Sequence, residues 1–424
     1  MYNRLLLILR KIIIKMMKQV SLFAIFLALI GCKQEYKHEN KIKEDVVFLA
    51  DDKLEGRETG TEGERLAADY IAKRFKEIGL EGKGTEGYFQ DFSFKPTQDA
   101  HSEVQFTEVN EDGTVTGRNV LGYINNNAEQ TIIIGAHYDH LGHGGAGSLY
   151  READEAVHNG ADDNASGVAV MIDLAGKLKT ANTNNNYLFM AFSGEEMGLL
   201  GSNYFVKNAT VATESVNYML NMDMVGRLKA DSTLAVYGTG TSPIFKQTVS
   251  SNNDNFKIVE HESGVGPSDH TSFYLADIPV LHFFTGQHED YHKPGDDSEK
   301  LNYEGMDLIS GFIFDIISDL DDNGELAFRK TKNDSSDTPR FKVTLGVVPD
   351  YLYSEKGMRI DGITDDKPAH KAGLLKGDVV LQLGEHAVDD MMGYMKALSK
   401  FEEGQTTTVK VKRGEEIIEA EVTF

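Results

Sequence analysis

Residues 131–143 read Thr131-Ile132-Ile133-Ile134-Gly135-Ala136-His137-Tyr138-Asp139-His140-Leu141-Gly142-His143. The run from Thr131 to Ala136 is short, β-branched and uncharged, which predicts a buried strand rather than a helix. Its apolar residues are consecutive and not alternating, so both of its faces are covered, as in a parallel sheet packed between helices. Tyr187–Phe192, Tyr218–Met222 and Ile278–Phe284 have the same character. Between such strands lie helical patterns: Thr61–Ile78, with Leu66, Tyr70, Phe75 and Ile78 toward the core and Gly79 as terminator, and Gly167–Leu178. The expected fold is α/β, with a mostly parallel sheet flanked by helices. His137, Glu196 and Asp223 follow directly from strand ends, where open α/β sheets gather their sites.

Those three residues, with Asp163 and His292, supply two imidazoles and three carboxylates. Zinc is held by such nitrogen and oxygen donors, and a catalytic site keeps a position open for water or substrate. Two ions about 3.5–4 Å apart need a shared bridge. The run Gly160-Ala161-Asp162-Asp163-Asn164-Ala165-Ser166-Gly167 offers carboxylates just before a helix starts. In the pair Glu195-Glu196 the adjacent side chains diverge, so one can hold a metal while the other accepts a proton.

The segments GAHYDHLG (135–142), NGADDNASG (159–167), FSGEEMGLLGS (192–202), NMDMVG (221–226), GPSDHTSF (266–273) and DYHKPGDDSEK (290–300) resemble those of the M28 family of co-catalytic zinc peptidases, the bacterial aminopeptidase branch in particular. The resemblance implies a fold of the zinc-dependent exopeptidase type and two Zn2+ ions. His137 and Asp223 would hold one ion, Glu196 and His292 the other, and Asp163, not Asp162, would bridge them. It further implies Glu195 as general base and acid, the Tyr291 hydroxyl on the oxyanion, Asp139 orienting the His137 imidazole, and a cis bond between Asp163 and Asn164. His140 and His143 are then polar loop residues, and His270, His282 and His288 structural or pocket-lining ones. Residues 144–158 would loop over the site, with Arg151 paired at the surface. The implied activity is removal of N-terminal residues from peptide substrates. Carboxypeptidase or dipeptidase action is the alternative, since the wider family includes carboxypeptidases and glutaminyl cyclases.

After residue 340 the chain changes character. Leu345-Gly346-Val347, a strand around Gly357–Ile363, the run Pro368-Ala369-His370-Lys371-Ala372-Gly373-Leu374-Leu375-Lys376-Gly377-Asp378-Val379-Val380 and a helix over Met391–Leu398 resemble a small β-rich PDZ domain of bacterial envelope proteases. Such domains take a C-terminal strand at a sheet edge, its carboxylate on backbone amides, here at Leu345, Gly346 and Val347. A non-catalytic surface protein that binds peptide C-termini through this domain is the rival from another class. The intact Glu195 and ligand set weigh against it.

Composition frames the rest. Five basic residues lead into the apolar run Ser21–Gly31, which ends at Cys32, the single cysteine. This looks like a lipoprotein signal (1–31), in which the cysteine is acylated, implying a bacterial envelope protein attached by lipid alone, with the outer membrane as the expected location. The apolar run is too short to span a bilayer. The formal charge is −24, and −29 without residues 1–31, which argues against nucleic acid as a partner. The chain divides into a tether (32–43), a peptidase-like domain (44–325), a polar linker (326–339) and the PDZ-like domain (340–424).

Overall fold

The computed structural model describes residues 37–424 apart from 97–104, 108–112, 146, 151, 153, 182, 332–342, 351, 352, 354 and 365. The signal segment, Cys32 and Arg151 lie outside the described residues. In chain order the peptidase-like part contains α1 (Ile42–Leu49), α2 (Glu62–Ile78), β1 (Glu81–Gly82), β2 (Phe89–Lys95), β3 (Gln105–Thr107), β4 (Val115–Ile124), β5 (Thr131–His137), α3 (Gly167–Thr180), β6 (Asn186–Phe192) and α4 (Leu200–Lys207). It continues through β7 (Val216–Met222), β8 (Thr233–Tyr237), α5 (Phe245–Ser251), β9 (Lys257–His261), α6 (His270–Tyr274), β10 (Val280–Phe284) and α7 (Tyr303–Leu320).

The sheet order is β3-β2-β4-β6-β5-β7-β10-β8-β9. The parallel sheet read from the sequence is its centre, where β6, β5, β7 and β10 run side by side in one direction. Antiparallel strands flank it: β4 on β6, β2 on β4, and β8 on β10. All seven residues of both β5 and β6 are buried, as their unbroken apolar runs require. Ile132, Ile133 and Ile134 have no exposed surface, and each contributes about 2 kcal/mol by burial.

Helix α2 begins at Thr61, whose hydroxyl accepts the Glu64 amide, and ends at Gly79 with φ +87°. Its buried stripe is Ala67, Ala68, Ile71, Ala72, Phe75 and Ile78. Leu66, expected toward the core, is 42% exposed. Leu66 lies nine residues before Phe75, about half a turn round the helix, so it falls on the face opposite that stripe. Helix α3 starts against the end of β7: a Cβ on Gly167 would fall 2.5 Å from the Met222 carbonyl oxygen and 2.4 Å from Asn164 Oδ1. Glycine is required for that approach.

Two segments expected to be loose are packed. Of the tether, His38 pairs with the buried Asp173 (3.1 Å), Asn40 bonds Asp307, and Ile42 is buried. Of the linker, the Leu326 amide donates to Asn217 (2.7 Å), the Arg329 amide to the Thr241 carbonyl (2.7 Å), and the Thr331 amide to the Tyr274 hydroxyl (3.0 Å). Polar composition concealed the linker contacts, because backbone amides make them.

The C-terminal part comprises β11 (Val347–Pro349), β12 (Met358–Ile363), α8 (Pro368–Lys371), β13 (Val379–Leu383), β14 (His386–Ala387), α9 (Met391–Leu398), β15 (Thr406–Arg413) and β16 (Glu416–Thr423). Its sheet runs β11-β12-β13-β15-β16, with β11 at an open edge. Leu345, Ile360, Val380, Leu383, Val409 and Val411 form a separate core beneath α9 residues Tyr394, Ala397 and Leu398. Gly373 takes φ +72° just after α8, and Gly377 takes φ +91° at the turn before β13. Among the described residues no helix is long and apolar enough to cross a membrane.

Candidate active site

The carboxyl ends of the central strands converge on a cavity of about 320 Å³ lined by His137, Asp163, Glu195, Glu196, Asp223, Tyr291 and His292, with Leu199, Met224, Tyr237 and Phe284 among its apolar walls. His137 closes β5, Glu195 and Glu196 follow β6, and Asp223 follows β7. Asp163 sits on the turn into α3, where the peptide bond to Asn164 is cis as the resemblance implied. His292 is held from two sides by the 144–150 loop: its ring Nδ1 lies 2.8 Å from the Gly147 carbonyl and its own carbonyl accepts the Leu149 amide (2.9 Å).

The donor atoms form two groups. His137 Nε2 lies 3.3 Å from both Asp223 Oδ1 and Asp163 Oδ1. His292 Nε2 lies 3.1 Å from Asp163 Oδ2 and 3.4 Å from Glu196 Oε2. Donors about 2.0–2.2 Å from one tetrahedral ion stand about 3.3–3.6 Å apart, so each group has close to the spacing of ligands on a common cation. Asp163 presents one oxygen to each, as a bridging carboxylate must. Asp162 is excluded from that role: its Oδ1 accepts the Gly226 amide (2.6 Å) and its Oδ2 faces His288 (3.2 Å).

Electrostatics point the same way. Four carboxylates line the cavity, and no Lys or Arg is among the described lining residues. Burial alone would depress the His137 pKa, but the Asp223 and Glu195 carboxylates hold it well above the imidazole range. Burial would raise Asp163, whereas its bonds to His137 and His292 hold it well below the carboxylate range. His292, opposed by burial but facing Glu196 and Asp163, is pushed up to about 9. The cluster favours positive charge at its centre, and hard carboxylate oxygens with imidazole nitrogens fit zinc.

Glu195 is shifted the opposite way from Asp163. Its carboxyl is pushed well above the usual range by burial, against the pull of His137 and with Asp223, Glu196 and Asp269 adding to the rise. A buried carboxylate beside the two donor groups is placed for proton transfer. Asp139 supports the site differently from the expectation. The His137 Nδ1 bond goes to the Asp139 backbone carbonyl (3.2 Å), while the carboxylate lies 3.7 Å away and accepts the amides of Glu195 (3.1 Å) and Glu196 (3.4 Å). One residue thereby fixes three site residues. Tyr291 lines the cavity with its ring stacked on His292, centroids 3.8 Å apart.

His143 is exposed and His282 lines the pocket, stacked on His270 at 4.3 Å, as the sequence suggested. His140 is not a polar loop residue: it is buried, with Nδ1 2.8 Å from Glu196 Oε1. Two further residues went unread in the sequence. Asp296 Oδ2 accepts the amides of Asp162 (2.9 Å) and Asp163 (3.0 Å), tying Asp163 to the His292 segment. Arg57, fully buried, donates to the carbonyls of Tyr138 (2.7 Å), Asn159 (2.7 Å), Gly160 (3.0 Å) and Leu49. It ties the chain after His137 to the chain before Asp163. Nothing in local composition marks such contacts, although an arginine between glycine and turn residues was a signal that could have been weighed.

Comparison with known proteins agrees. Residues 119–317 match the model of peptidase family M28, and residues 328–424 match a PDZ domain. The chain is 31% identical over 176 residues to the alkaline phosphatase isozyme conversion protein of Escherichia coli K12, covering 42% of this chain and 48% of that protein. It is 27% identical over 280 residues to a probable leucine aminopeptidase of Arthroderma otae, covering 60% and 66%. The chain thus spans about half to two thirds of the length of these relatives. The crystal structure of BSAP, a zinc aminopeptidase from Bacillus subtilis, superposes with a TM-score of 0.52 at 18% identity, covering 69% of this chain and 97% of that one, which shows the shared fold. Residues 119–317 are a peptidase family M28 domain, and residues 328–424 of the same chain are a PDZ domain.

Proposed function

We propose that this protein is a two-zinc aminopeptidase that releases N-terminal residues from peptides. The observation that carries the reading is the pair of donor groups sharing Asp163, with edges of 3.1–3.4 Å. His137 and Asp223 would hold one ion, His292 and Glu196 the other. Zinc, when bound, supplies a water acidic enough to be deprotonated near neutral pH and positive charge for the carbonyl oxygen. Glu195 accepts the water proton and returns it to the departing amine. Tyr291, on the cavity wall, would donate a hydrogen bond from its hydroxyl to the developing oxyanion.

Selectivity for the amino end follows from charge. A carboxypeptidase needs a cation for the terminal carboxylate, and the described lining holds no Lys or Arg. The PDZ domain would take a peptide C-terminus along the open edge of β11, near Gly346. Acylation at Cys32 would attach the protein to the envelope, on the outer membrane.

The test is metal content and turnover together. The protein should bind two zinc ions, and Glu195→Gln should keep both while losing about 100-fold or more in kcat. Retention of wild-type kcat in that variant would overturn the assignment of the base, and a single bound zinc would overturn the bridged pair.

A further inference from the structure

We propose that His140 is a positioning residue for Glu196, and through it for the second zinc. The inference rests on the two-zinc reading above. His140 Nδ1 lies 2.8 Å from Glu196 Oε1, while Glu196 Oε2 faces His292 Nε2 at 3.4 Å. The first distance is that of a charge-assisted hydrogen bond and the second is a ligand-to-ligand edge. The two oxygens of Glu196 therefore have different tasks. An ionised carboxylate only accepts, so the imidazole proton sits on Nδ1. The other ring nitrogen, Nε2, is buried and has no hydrogen-bond partner among the described residues, so nothing opposes that tautomer.

The ring has no freedom to do otherwise. The His140 amide donates to the Arg57 carbonyl (3.2 Å), within the segment whose guanidinium clamps the neighbouring chain. Gly160 has φ +54°, and a Cβ there would fall 2.5 Å from His140 Cδ2 and 2.6 Å from Cγ. The ring thus occupies the space a side chain at 160 would fill. Its centroid stands 5.8 Å from that of His292, edge to face. His140 Nδ1 is 3.9 Å from Asp163 Oδ2, beyond hydrogen-bond reach, so Glu196 is its partner in this cluster. Glu196 is a long side chain on the turn after β6, and without this bond its carboxylate is free to rotate away from His292.

The test is stepwise zinc titration of the full-length protein against a competing chelator, with Co2+ substitution to report coordination by visible absorption. His140→Ala should weaken one of the two zinc constants by about 10- to 100-fold and leave the other unchanged. The band of one bound Co2+ should change and that of the other should not. His140→Asn keeps an N–H donor near the Nδ1 position and should recover most of the lost affinity. Two wild-type constants in His140→Ala would overturn the proposal. So would a His140→Asn variant as weak as His140→Ala, because the imidazole would then be acting as a ligand. A wild-type protein that binds two zincs yet cleaves no peptide would end the aminopeptidase reading and leave this test standing; one that binds a single zinc would end both.

Discussion

Replacing Arg57 by Met should destabilise the peptidase domain by about 3 kcal/mol. The guanidinium makes four hydrogen bonds, to the carbonyls of Tyr138, Asn159, Gly160 and Leu49. At the low end for bonds to a charged group, about 1.5 kcal/mol each, these contribute about 6 kcal/mol. Against this stands the cost of burying the cation. Burial lowers its pKa from 12.5 to about 10, despite the opposing carboxylates of Asp139, Asp163, Asp296 and Glu196, which corresponds to about 3 kcal/mol. The difference is the expected loss, and Met fills much of the volume so that cavity formation adds little. Urea unfolding followed by tyrosine fluorescence suits the measurement, since the chain has 17 tyrosines and no tryptophan. Because the clamp joins the His137 and Asp163 segments, zinc affinity should fall with stability. Arg57→Lys should recover only part of the loss, having the charge without the fork. An Arg57→Met protein within about 1 kcal/mol of wild type would refute the reasoning.

Further outcomes follow from other buried groups. The Glu64 carboxyl is pushed up to about 7 by burial, which outweighs the hydrogen bonds from Ser193 and the Gly60 amide. The folded state therefore binds more protons than the unfolded one between about pH 4.5 and 7, and stability should fall by about 3 kcal/mol as pH rises through that window. Glu64→Gln should flatten that part of the stability profile, and an unchanged slope would contradict the assignment. In the PDZ domain Gly346 has φ +72°, and a Cβ there would lie 2.1 Å from Lys367 Cβ. Gly346→Ala should cost about 1–2 kcal/mol in that domain and weaken capture of peptides with a free C-terminal carboxylate, read by fluorescence anisotropy against amidated controls. Removal of metal by a chelator should abolish peptide cleavage while such capture persists.

The parts legible in the sequence were those fixed by local pattern. The strand through Thr131–Ala136 had to be buried on both faces, and its exit at His137 marked the site. Met391–Leu398 was readable because its helical period is undisturbed, and the structure gives it the same bounds. What stayed hidden depends on distant partners. Leu66 is apolar, yet it lies nine residues before Phe75, about half a turn round α2, and so falls opposite the buried stripe. The antiparallel flanks β2 and β4 were not among the strands read, since polar residues interrupt their apolar runs and their neighbours are set by topology. His140 read as a loop residue because it lies three positions past His137 in a polar run, and only the fold brings Glu196, 56 residues away, to its ring. The carboxylate of Asp139 likewise finds the amides of Glu195 and Glu196, a contact that side-chain chemistry alone does not announce.

The most direct measurement is hydrolysis of a panel of aminoacyl-chromophore substrates and their N-acetylated counterparts by the zinc-loaded protein, with Glu195→Gln alongside. Cleavage confined to substrates with a free amine, and lost in Glu195→Gln with two zincs still bound, is the expected result. Cleavage of the acetylated set, or of neither set by protein carrying both zincs, would contradict the assignment as an aminopeptidase.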